Sequence, residues 1–285
     1  MNMHSGQTAT PVAIVTGASS GFGLLTAVAL AKAGYTVVAT VRDPARSEAL
    51  LQEAKLAGVS ERIECMPLDV TDHQAIENAS AAVIDRHGRI DALINNAGFA
   101  LGGFAEEVPI AEWRRQFETN FFGLVAMTQA VLPHMRERRS GTIVNVSSVS
   151  GLVGLPGYAP YAASKHAVEG FSESLRLELA DFGLKVVLVE PGAFRTNIWT
   201  KGFAQISRTE QSPYRAKLDR VLDYSRRTAE TAPAPQAVAE AIVRIVLARS
   251  PKLRYPLGRG SRMLSLVKAI IPWKWYERAV SRMLR

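Results

Sequence analysis

Two side chains four residues apart, Tyr161 and Lys165, could carry acid–base chemistry, and Ser148 lies thirteen residues before the tyrosine. Residues four apart lie one above the other on the same face of a helix. A free phenol has a pKa near ~10, and a nearby ammonium lowers that pKa because it favours the phenolate. With Ser148 donating a hydrogen bond to a substrate oxygen, the group suits proton transfer to an alkoxide formed by hydride addition to a carbonyl.

A glycine-rich segment near the N-terminus, residues 16–23, follows the apolar run Val12–Val15 and precedes an apolar pattern with helical spacing. A strand, a tight glycine turn and the start of a helix are the setting in which a dinucleotide phosphate binds. Gly17 and Gly21 permit the turn and a close backbone approach, and Gly23 lets the helix pack tightly on the sheet. The sequence therefore predicts a binding site for a pyrophosphate.

Strand-like and helix-like segments alternate along the chain, which predicts an α/β fold: one doubly wound (Rossmann) parallel sheet of about seven strands with helices on both faces. A chain of 285 residues with 47% hydrophobic residues can bury a core of that size. The predicted strands are 12–16, 36–41, 63–68, 90–95, 142–148, 185–190 and 253–257, and the predicted helices are 22–33, 46–57, 72–87, 109–137, 158–181 and 235–249. We expect residues 1–10 to be disordered, 11–257 to form the dinucleotide-binding catalytic domain, and 258–285 to add basic amphipathic C-terminal helices.

Further motifs follow in a fixed order along the chain. They are Asn95-Asn-Ala-Gly98 after a strand-like run, Asn120 in a later helix, Ser148, Tyr161 with Lys165, and Pro191-Gly192. From about residue 11 to 257, the chain resembles the short-chain dehydrogenase/reductase family, in its compact single-domain branch with hydroxysteroid- and retinol-dehydrogenase-like members. The resemblance implies an oxidoreductase that uses a nicotinamide dinucleotide.

The resemblance also implies roles for single residues. Tyr161 matches the proton donor, and Lys165 matches the residue that lowers the pKa of the donor and holds the nicotinamide ribose. Ser148 matches the hydroxyl that orients the carbonyl, and Asn120 matches the residue that supports a water relay to the lysine. Ser147 is the rival for the serine role. Adjacent residues at a strand end point to opposite sides, so only one serine faces the substrate, and the family spacing favours Ser148.

The choice between NADP(H) and NAD(H) depends on the end of the second strand. NAD-specific sites carry an acidic side chain there, whereas this position holds Thr40 or Val41, and Arg42 follows. The planar guanidinium of an arginine suits a 2′-phosphate, so we predict NADP(H). The alternative is that Arg42 pairs with Asp43 or Glu48 and that NAD(H) binds. The residues predicted to bind the cofactor are Gly17, Ser19, Ser20, Gly21, Phe22, Gly23, Arg42, Asp69, Val70, Asn96, Ala97, Gly98, Tyr161, Lys165, Pro191, Gly192, Phe194 and Thr196.

The segment 194–232 has no strand pattern, and a long irregular loop in a compact domain is usually functional. Because it is rich in apolar and aromatic residues, we predict a lid over the site of a hydrophobic ketone, aldehyde or alcohol. The predicted substrate contacts are Ser148, Val149, Leu155, Tyr158 and Trp199, and we predict no metal site. The single cysteine, Cys65, excludes an intrachain disulfide and fits a reducing compartment; its strand-like surroundings predict a buried, unreactive thiol.

Positive charge is concentrated at the C-terminus: residues 251–285 hold nine Lys and Arg and one acid, while residues 1–250 are neutral overall. The net charge of +8 therefore does not indicate nucleic-acid binding by the body of the protein. Lys274, Arg278 and Arg282 form a basic stripe that suits an anionic membrane surface. The alternative is a helix packed over the active-site mouth or on a neighbouring subunit. No run is long enough to span a bilayer.

The sequence predicts an NADP(H)-dependent oxidoreductase that interconverts a hydrophobic ketone or aldehyde and its alcohol by hydride transfer, with Tyr161 as proton donor. One alternative is a 3-oxoacyl-thioester reductase of lipid synthesis, whose acidic carrier protein the basic tail would attract. Another is a non-catalytic dinucleotide-binding regulator, a class marked by loss of the Tyr, Lys or Ser, all of which are present. We expect a cytoplasmic homodimer or homotetramer, with at most weak peripheral membrane contact.

Overall fold

Short runs of β-branched and other apolar residues form the strands of one sheet. A computed structural model describes residues 10–198, 202, 206, 211–261, 263 and 270–283. Its strands are β1 Val12–Val15, β2 Thr36–Val41, β3 Ile63–Pro67, β4 Ala92–Asn95, β5 Thr142–Val146, β6 Lys185–Pro191 and β7 Arg254–Leu257. They pair in parallel in the order β3-β2-β1-β4-β5-β6-β7, which confirms the predicted sheet.

The strand order changes direction at β1, which pairs with β2 on one side and with β4 on the other. All four residues of β1 are buried, as expected for a parallel strand covered on both faces. In sheets of this kind, ligands bind outside the carboxyl ends of the strands at the point where the order reverses. The glycine segment begins directly after β1, so the topology places it at that crevice.

Helices cover both faces of the sheet, as predicted. Their bounds are α1 Gly21–Lys32, α2 Glu48–Leu56, α3 His73–His87, α4 Ile110–Phe117, α5 Gly123–Glu137, α6 Ala159–Glu178, α7 Arg215–Thr231, α8 Gln236–Leu247 and α9 Trp273–Met283. One apolar core lies between the sheet and α1, α2 and α8, and a second lies between the opposite face and α3, α5 and α6.

Two features differ from the sequence predictions. The segment predicted to be an irregular lid contains α7, because Leu218, Val221 and Leu222 recur with helical spacing and are buried. The predicted burial of Cys65 is wrong: the side chain is exposed, since β3 is the edge strand of the sheet. Partial burial nevertheless raises the pKa of the Cys65 thiol, which disfavours the reactive thiolate.

The chain termini are described in part. Residues 1–9, 262, 264–269 and 284–285 lie outside the described residues, whereas α9 begins directly after Pro272. Within the described ranges, no helix is long and apolar enough to cross a membrane. The same ranges contain no group of three His, Cys, Asp or Glu side chains that could hold a metal ion.

Candidate active site

The segment at the end of β4 is hydrogen-bonded to the glycine segment that follows β1. Thr16 Oγ1 accepts hydrogen bonds from the backbone N–H groups of Asn96 and Ala97, both at 3.0 Å. The Asn96 amide donates in return to the carbonyl oxygens of Thr16, at 2.8 Å, and of Gly17, at 3.2 Å. Two motifs that are far apart in the sequence therefore fix each other's backbone at the crevice.

Gly17 and Gly23 allow these segments to approach closely. Gly17 has a φ of +66°, and a Cβ there would lie 2.8 Å from the Ala97 Cα. A Cβ at Gly23 would lie 2.5 Å from the Gly17 carbonyl oxygen and would overlap the Asn96 side chain. The loop thus presents backbone N–H groups and the N-terminus of α1 to the crevice, which is the arrangement that binds a pyrophosphate.

The remaining predicted cofactor contacts surround the same crevice. A Cβ at Gly21 would lie 3.6 Å from the Thr196 Cβ, so Thr196 lies against the glycine loop. Phe22 and Phe194 pack edge to face, with ring centroids 5.7 Å apart. The others follow the carboxyl ends of strands: Ser19 and Ser20 after β1, Asp69 and Val70 after β3, Gly98 after β4, and Pro191 and Gly192 where β6 ends.

Three polar side chains meet where β5 ends and α6 begins. Ser148 lies just after β5, and Tyr161 and Lys165 lie in the first turns of α6. The Ser148 hydroxyl lies beside the Tyr161 phenol, and this contact acts to lower the pKa of the phenol. Lys165 Nζ donates to the Val146 carbonyl oxygen at 2.7 Å and lies 5.9 Å from the centre of the Tyr161 ring. The fold therefore brings the predicted proton donor together with its hydroxyl partner and its cation.

Burial shifts the pKa values of Tyr161 and Lys165 away from those of the free side chains. It raises the pKa of Tyr161, and the contact with Ser148 lowers that pKa only in part. The sequence-based expectation of a lowered tyrosine pKa is therefore wrong for the chain by itself, because desolvation of the phenolate dominates. Burial also lowers the pKa of Lys165 to about 8, against the opposing effect of the Glu169 carboxylate. Lys165 is thus still mostly protonated at neutral pH.

Asn120 lies in a π-helical turn, Glu118–Phe122, which separates α4 from α5. Such turns occur frequently at functional sites. The Asn120 Nδ2 donates to the Phe99 carbonyl oxygen at 3.0 Å and to Ser164 Oγ at 3.2 Å, and the Phe99 N–H donates to Asn120 Oδ1 at 3.0 Å. Ser164 precedes Lys165 on α6, so Asn120 satisfies backbone groups and also contacts the catalytic helix.

These motifs and their common site match a known family. A family model described as short chain dehydrogenase matches residues 11–207. The chain belongs to the short-chain dehydrogenase family. The resemblance drawn from the sequence is confirmed, and the protein is an oxidoreductase of the class that acts on CH–OH groups.

Curated relatives of this short-chain dehydrogenase cover nearly all of it. The uncharacterized oxidoreductase YusZ of Bacillus subtilis is 44% identical over 276 residues, which are 96% of this chain and 98% of the relative. Retinol dehydrogenase 8 of Homo sapiens is 37% identical over 281 residues, which are 95% of this chain and 89% of the relative.

Solved structures with bound dinucleotides are similar as well. A mutant actinorhodin polyketide ketoreductase with NADPH is 34% identical, with a TM-score of 0.73, over 86% of this chain and 94% of its own. A short chain dehydrogenase/reductase from Burkholderia phymatum in complex with NAD is 26% identical, with a TM-score of 0.78, over 91% of this chain and 93% of its own. Structural neighbours therefore bind either dinucleotide.

The residues at the end of β2 could discriminate between NADP(H) and NAD(H). Thr40 and Val41 are buried, and the exposed Arg42 follows. Asp43 pairs with Arg46, whose Nε lies 3.3 Å from Asp43 Oδ2. Among the residues that the structure describes, Arg42 has no ion-pair partner, so its guanidinium is available to a ligand.

Sequence analysis missed a buried carboxyl pair behind Lys165. Glu169 lies one turn further along α6, and Glu190 precedes Pro191 on β6; both are buried. Arg254 of β7 binds both, with Nη2 2.9 Å from Glu169 Oε2 and Nε 3.2 Å from Glu190 Oε1. Burial raises the pKa of each carboxyl, that of Glu190 to about 7, so the pair holds a proton up to near neutral pH.

This pair also separates the two candidate serines. A Cβ at Gly151 would lie 2.7 Å from Ser147 Oγ and 3.0 Å from Glu169 Cγ, so Ser147 lies on the side of the buried glutamate. Ser148 instead lies beside the Tyr161 phenol. The neighbouring serines thus point to opposite sides, and Ser148 is the one that lies with the catalytic group.

Helix α7 covers the predicted substrate side of the site. Tyr158 OH and Ser225 Oγ are hydrogen-bonded at 3.0 Å, which ties the loop before α6 to this helix. At the start of α7, Tyr214 stacks on Phe104 with centroids 4.7 Å apart and donates to Glu106 Oε2 at 2.5 Å. The helix is therefore held at two points.

The other predicted substrate residues lie in the loop after Ser148 or outside the described residues. Val149 and Leu155 are half-buried in the loop between Ser148 and Tyr158. A Cβ at Gly157 would lie 3.4 Å from the Val221 side chain of α7. Trp199 lies outside the described residues.

Proposed function

We propose that this protein interconverts a hydrophobic ketone or aldehyde and its alcohol with NADP(H), and that Tyr161 is the proton donor. The observation that carries the proposal is the meeting of Ser148, Tyr161 and Lys165 beside the glycine loop. The bound dinucleotide supplies or accepts the hydride. Ser148 donates a hydrogen bond to the substrate oxygen, and Tyr161 transfers its proton to that oxygen as negative charge develops there.

Lys165 and Asn120 support this proton transfer. The raised pKa of Tyr161 keeps the phenol protonated at neutral pH, ready to donate during reduction of a carbonyl. The Lys165 ammonium then stabilises the phenolate that remains, and it also binds the ribose. Asn120 holds the segment after β4 and the neighbouring turn of α6, where it would support a water relay: Lys165 passes a proton to the phenolate and recovers one from solvent through that water.

The residues present fit a dinucleotide. Gly17 packs directly against Ala97, and Gly23 packs against Gly17 and Asn96, so the chain turns sharply into the N-terminus of α1, where backbone N–H groups can bind a phosphate. Arg42 has no acidic neighbour bound to it among the described residues, and no acid ends β2. A free guanidinium at this corner favours the 2′-phosphate of NADP(H) over the unmodified ribose of NAD(H).

Arg42→Asp tests the cofactor preference. The change removes the phosphate partner and supplies a carboxylate for a free 2′-hydroxyl, so the ratio of kcat/KM with NADPH to that with NADH should fall by roughly 100-fold or more, given the strength of charged hydrogen bonds. The matched control is Arg46→Asp, an exposed cation four residues on that pairs with Asp43. We expect little change in the ratio for that control. A wild type that prefers NADH would contradict the assignment.

The apolar side chains of α7 support a hydrophobic substrate, and the similarity to a protein named retinol dehydrogenase 8 agrees with it. The test is a panel of ketones, aldehydes and alcohols of increasing apolar size, followed by nicotinamide absorbance with both dinucleotides. We expect kcat/KM to rise with apolar size. A preference for small charged hydroxy acids would refute the substrate class.

A second candidate substrate is a 3-oxoacyl thioester. The similarity to a polyketide ketoreductase and the basic C-terminal helix favour it. Including a 3-oxoacyl thioester in the same panel separates the two classes. A non-catalytic regulator would show dinucleotide binding without turnover of any member. The expected homodimer or homotetramer and the cytoplasmic location remain predictions.

A further inference from the structure

Helix α9 is attached to the protein beside the active site. Tyr276 is the buried residue of this helix, with 8% of its surface exposed, and its hydroxyl donates to the Gly154 carbonyl oxygen at 2.8 Å. Val280, one turn further on, is half-buried. Gly154 belongs to the loop between Ser148 and Tyr161, so the inner side of α9 lies on a catalytic loop.

The opposite side of α9 is positively charged. Successive helical residues are rotated by about 100°, which places Lys274 and Arg278 almost directly opposite Tyr276, with Arg282 next to them. All three cations are exposed. The acid of this helix, Glu277, lies on the flank, where it accepts a hydrogen bond from Trp273 Nε1 at 2.8 Å. The outward face therefore has three cations and no acid.

Large apolar side chains accompany these cations. Trp275 is 65% exposed beside Arg278 and Arg282, and Trp273 is 59% exposed on the flank. Ile270, just before the helix, is 80% exposed. Exposed indoles next to cations are unfavourable in water but suit the interface of a bilayer, where the ring lies among headgroups.

Positive charge is also concentrated in the C-terminal part of the sequence. Residues 251–285 carry the entire net charge of +8, and residues 1–250 are neutral. An anionic lipid surface attracts each nearby cation, and the indoles add apolar contact. Since no described helix can span a bilayer, contact along the surface is the mode that this geometry allows.

We propose that α9 binds an anionic membrane surface through Lys274, Trp275, Arg278 and Arg282, while Tyr276 holds the helix to the loop beside the active site. The entrance to the site then lies next to the lipid. Only one consequence of this proposal rests on the proposed function, namely that a hydrophobic substrate reaches the site from the bilayer. The binding itself is measured without turnover.

The test is sedimentation of the full chain with phosphatidylcholine vesicles, with and without phosphatidylserine. We expect the protein to sediment with the anionic vesicles at low salt, to stay in solution with the neutral ones, and to be released as salt rises. The triple variant Lys274→Glu, Arg278→Glu, Arg282→Glu should lower the partition coefficient by about 100-fold. Trp275→Ala should lower it less, without changing the charge.

The matched control reverses three exposed cations at the other end of the sheet, Lys32, Lys55 and Arg244, which lie in the last turns of α1, α2 and α8. This variant has the same net charge as the triple variant, and we expect it to bind like the wild type. An unchanged melting temperature shows that each variant is folded. The proposal is overturned if the wild type stays in solution with anionic vesicles, or if both charge-reversed variants lose binding equally. Failure of the enzyme assay would leave this result intact.

Discussion

The candidate catalytic group and the C-terminal helix are neighbours, yet they are attached to the fold in opposite ways. Lys165, Asn120 and Ser148 are each bonded to elements from different parts of the chain, and all three are buried. The described contact of α9 depends on one buried side chain, Tyr276, and its bond to Gly154. The polar side chains of the site are therefore fixed by a network of hydrogen bonds to several elements, whereas α9 is fixed by a single anchor, the side chain of Tyr276.

The largest effect on activity is expected at Tyr161, within the hydrogen-bonded site. Tyr161→Phe removes the transferable proton but keeps the ring, so kcat should fall by at least about 100-fold, the scale of general acid catalysis. Dinucleotide affinity should be nearly unchanged, because the packing is retained. Steady-state kinetics and a fluorescence titration with the dinucleotide measure the two effects.

Tyr158→Phe is the matched control for this variant. The Tyr158 hydroxyl is bonded to Ser225 of α7 rather than to Ser148, so its loss should alter KM more than kcat. Substantial turnover by Tyr161→Phe would mean that another group donates the proton.

An intermediate effect is expected at the buried carboxyl pair. The folded pKa of Glu190, about 7, lies above the value of a free glutamate, so the folded state binds more protons between these values. The contribution of Glu190 to stability is therefore complete below pH ~4 and is lost as the pH rises through 7. In Glu190→Gln, this part of the pH dependence should disappear, so the free energy of unfolding should fall less between pH ~5 and ~8 than it does in the wild type.

Urea unfolding at several pH values measures this change. Glu173→Gln is the control, since Glu173 binds the same Arg254 at 2.9 Å but is exposed. Its pH dependence should stay close to that of the wild type. Equal slopes for Glu190→Gln and the wild type would show that Glu190 does not hold the proton.

The smallest effect is expected at the anchor of α9. Tyr276→Phe removes the hydrogen bond to Gly154, worth about 1 kcal/mol, so amide hydrogen exchange in α9 should accelerate roughly fivefold. Amides of β1 and β4 should exchange at the wild-type rate, because the sheet does not depend on this bond. Faster exchange throughout the sheet would contradict the contrast between anchor and network.

Sequence patterns predicted the sheet and the proximity of Ser148, Tyr161 and Lys165 because both depend on local signals. Most strands are short apolar runs, and Ser148, Tyr161 and Lys165 come from motifs with fixed spacing. The carboxyl pair was missed because the burial of Glu190 is compensated by Arg254, which is distant in sequence and becomes a neighbour only when β6 pairs with β7. Cys65 was misjudged because the residues of β3 do not show that it forms the edge of the sheet.

The π-helical turn and the residues before it have a consequence for variation among proteins of this shape. Gln116 and Asn120 hold the segment after β4 entirely by its main chain: Gln116 bonds the Phe99 carbonyl and the Leu101 N–H, and Asn120 bonds both backbone groups of Phe99. A hydrogen bond to a main-chain group does not depend on the side chain that the residue carries. The half-buried Ala100 can therefore be exchanged without altering the path of the segment, whereas Phe99 is constrained by the Arg115 guanidinium, which lies 4.4 Å from the centre of its ring.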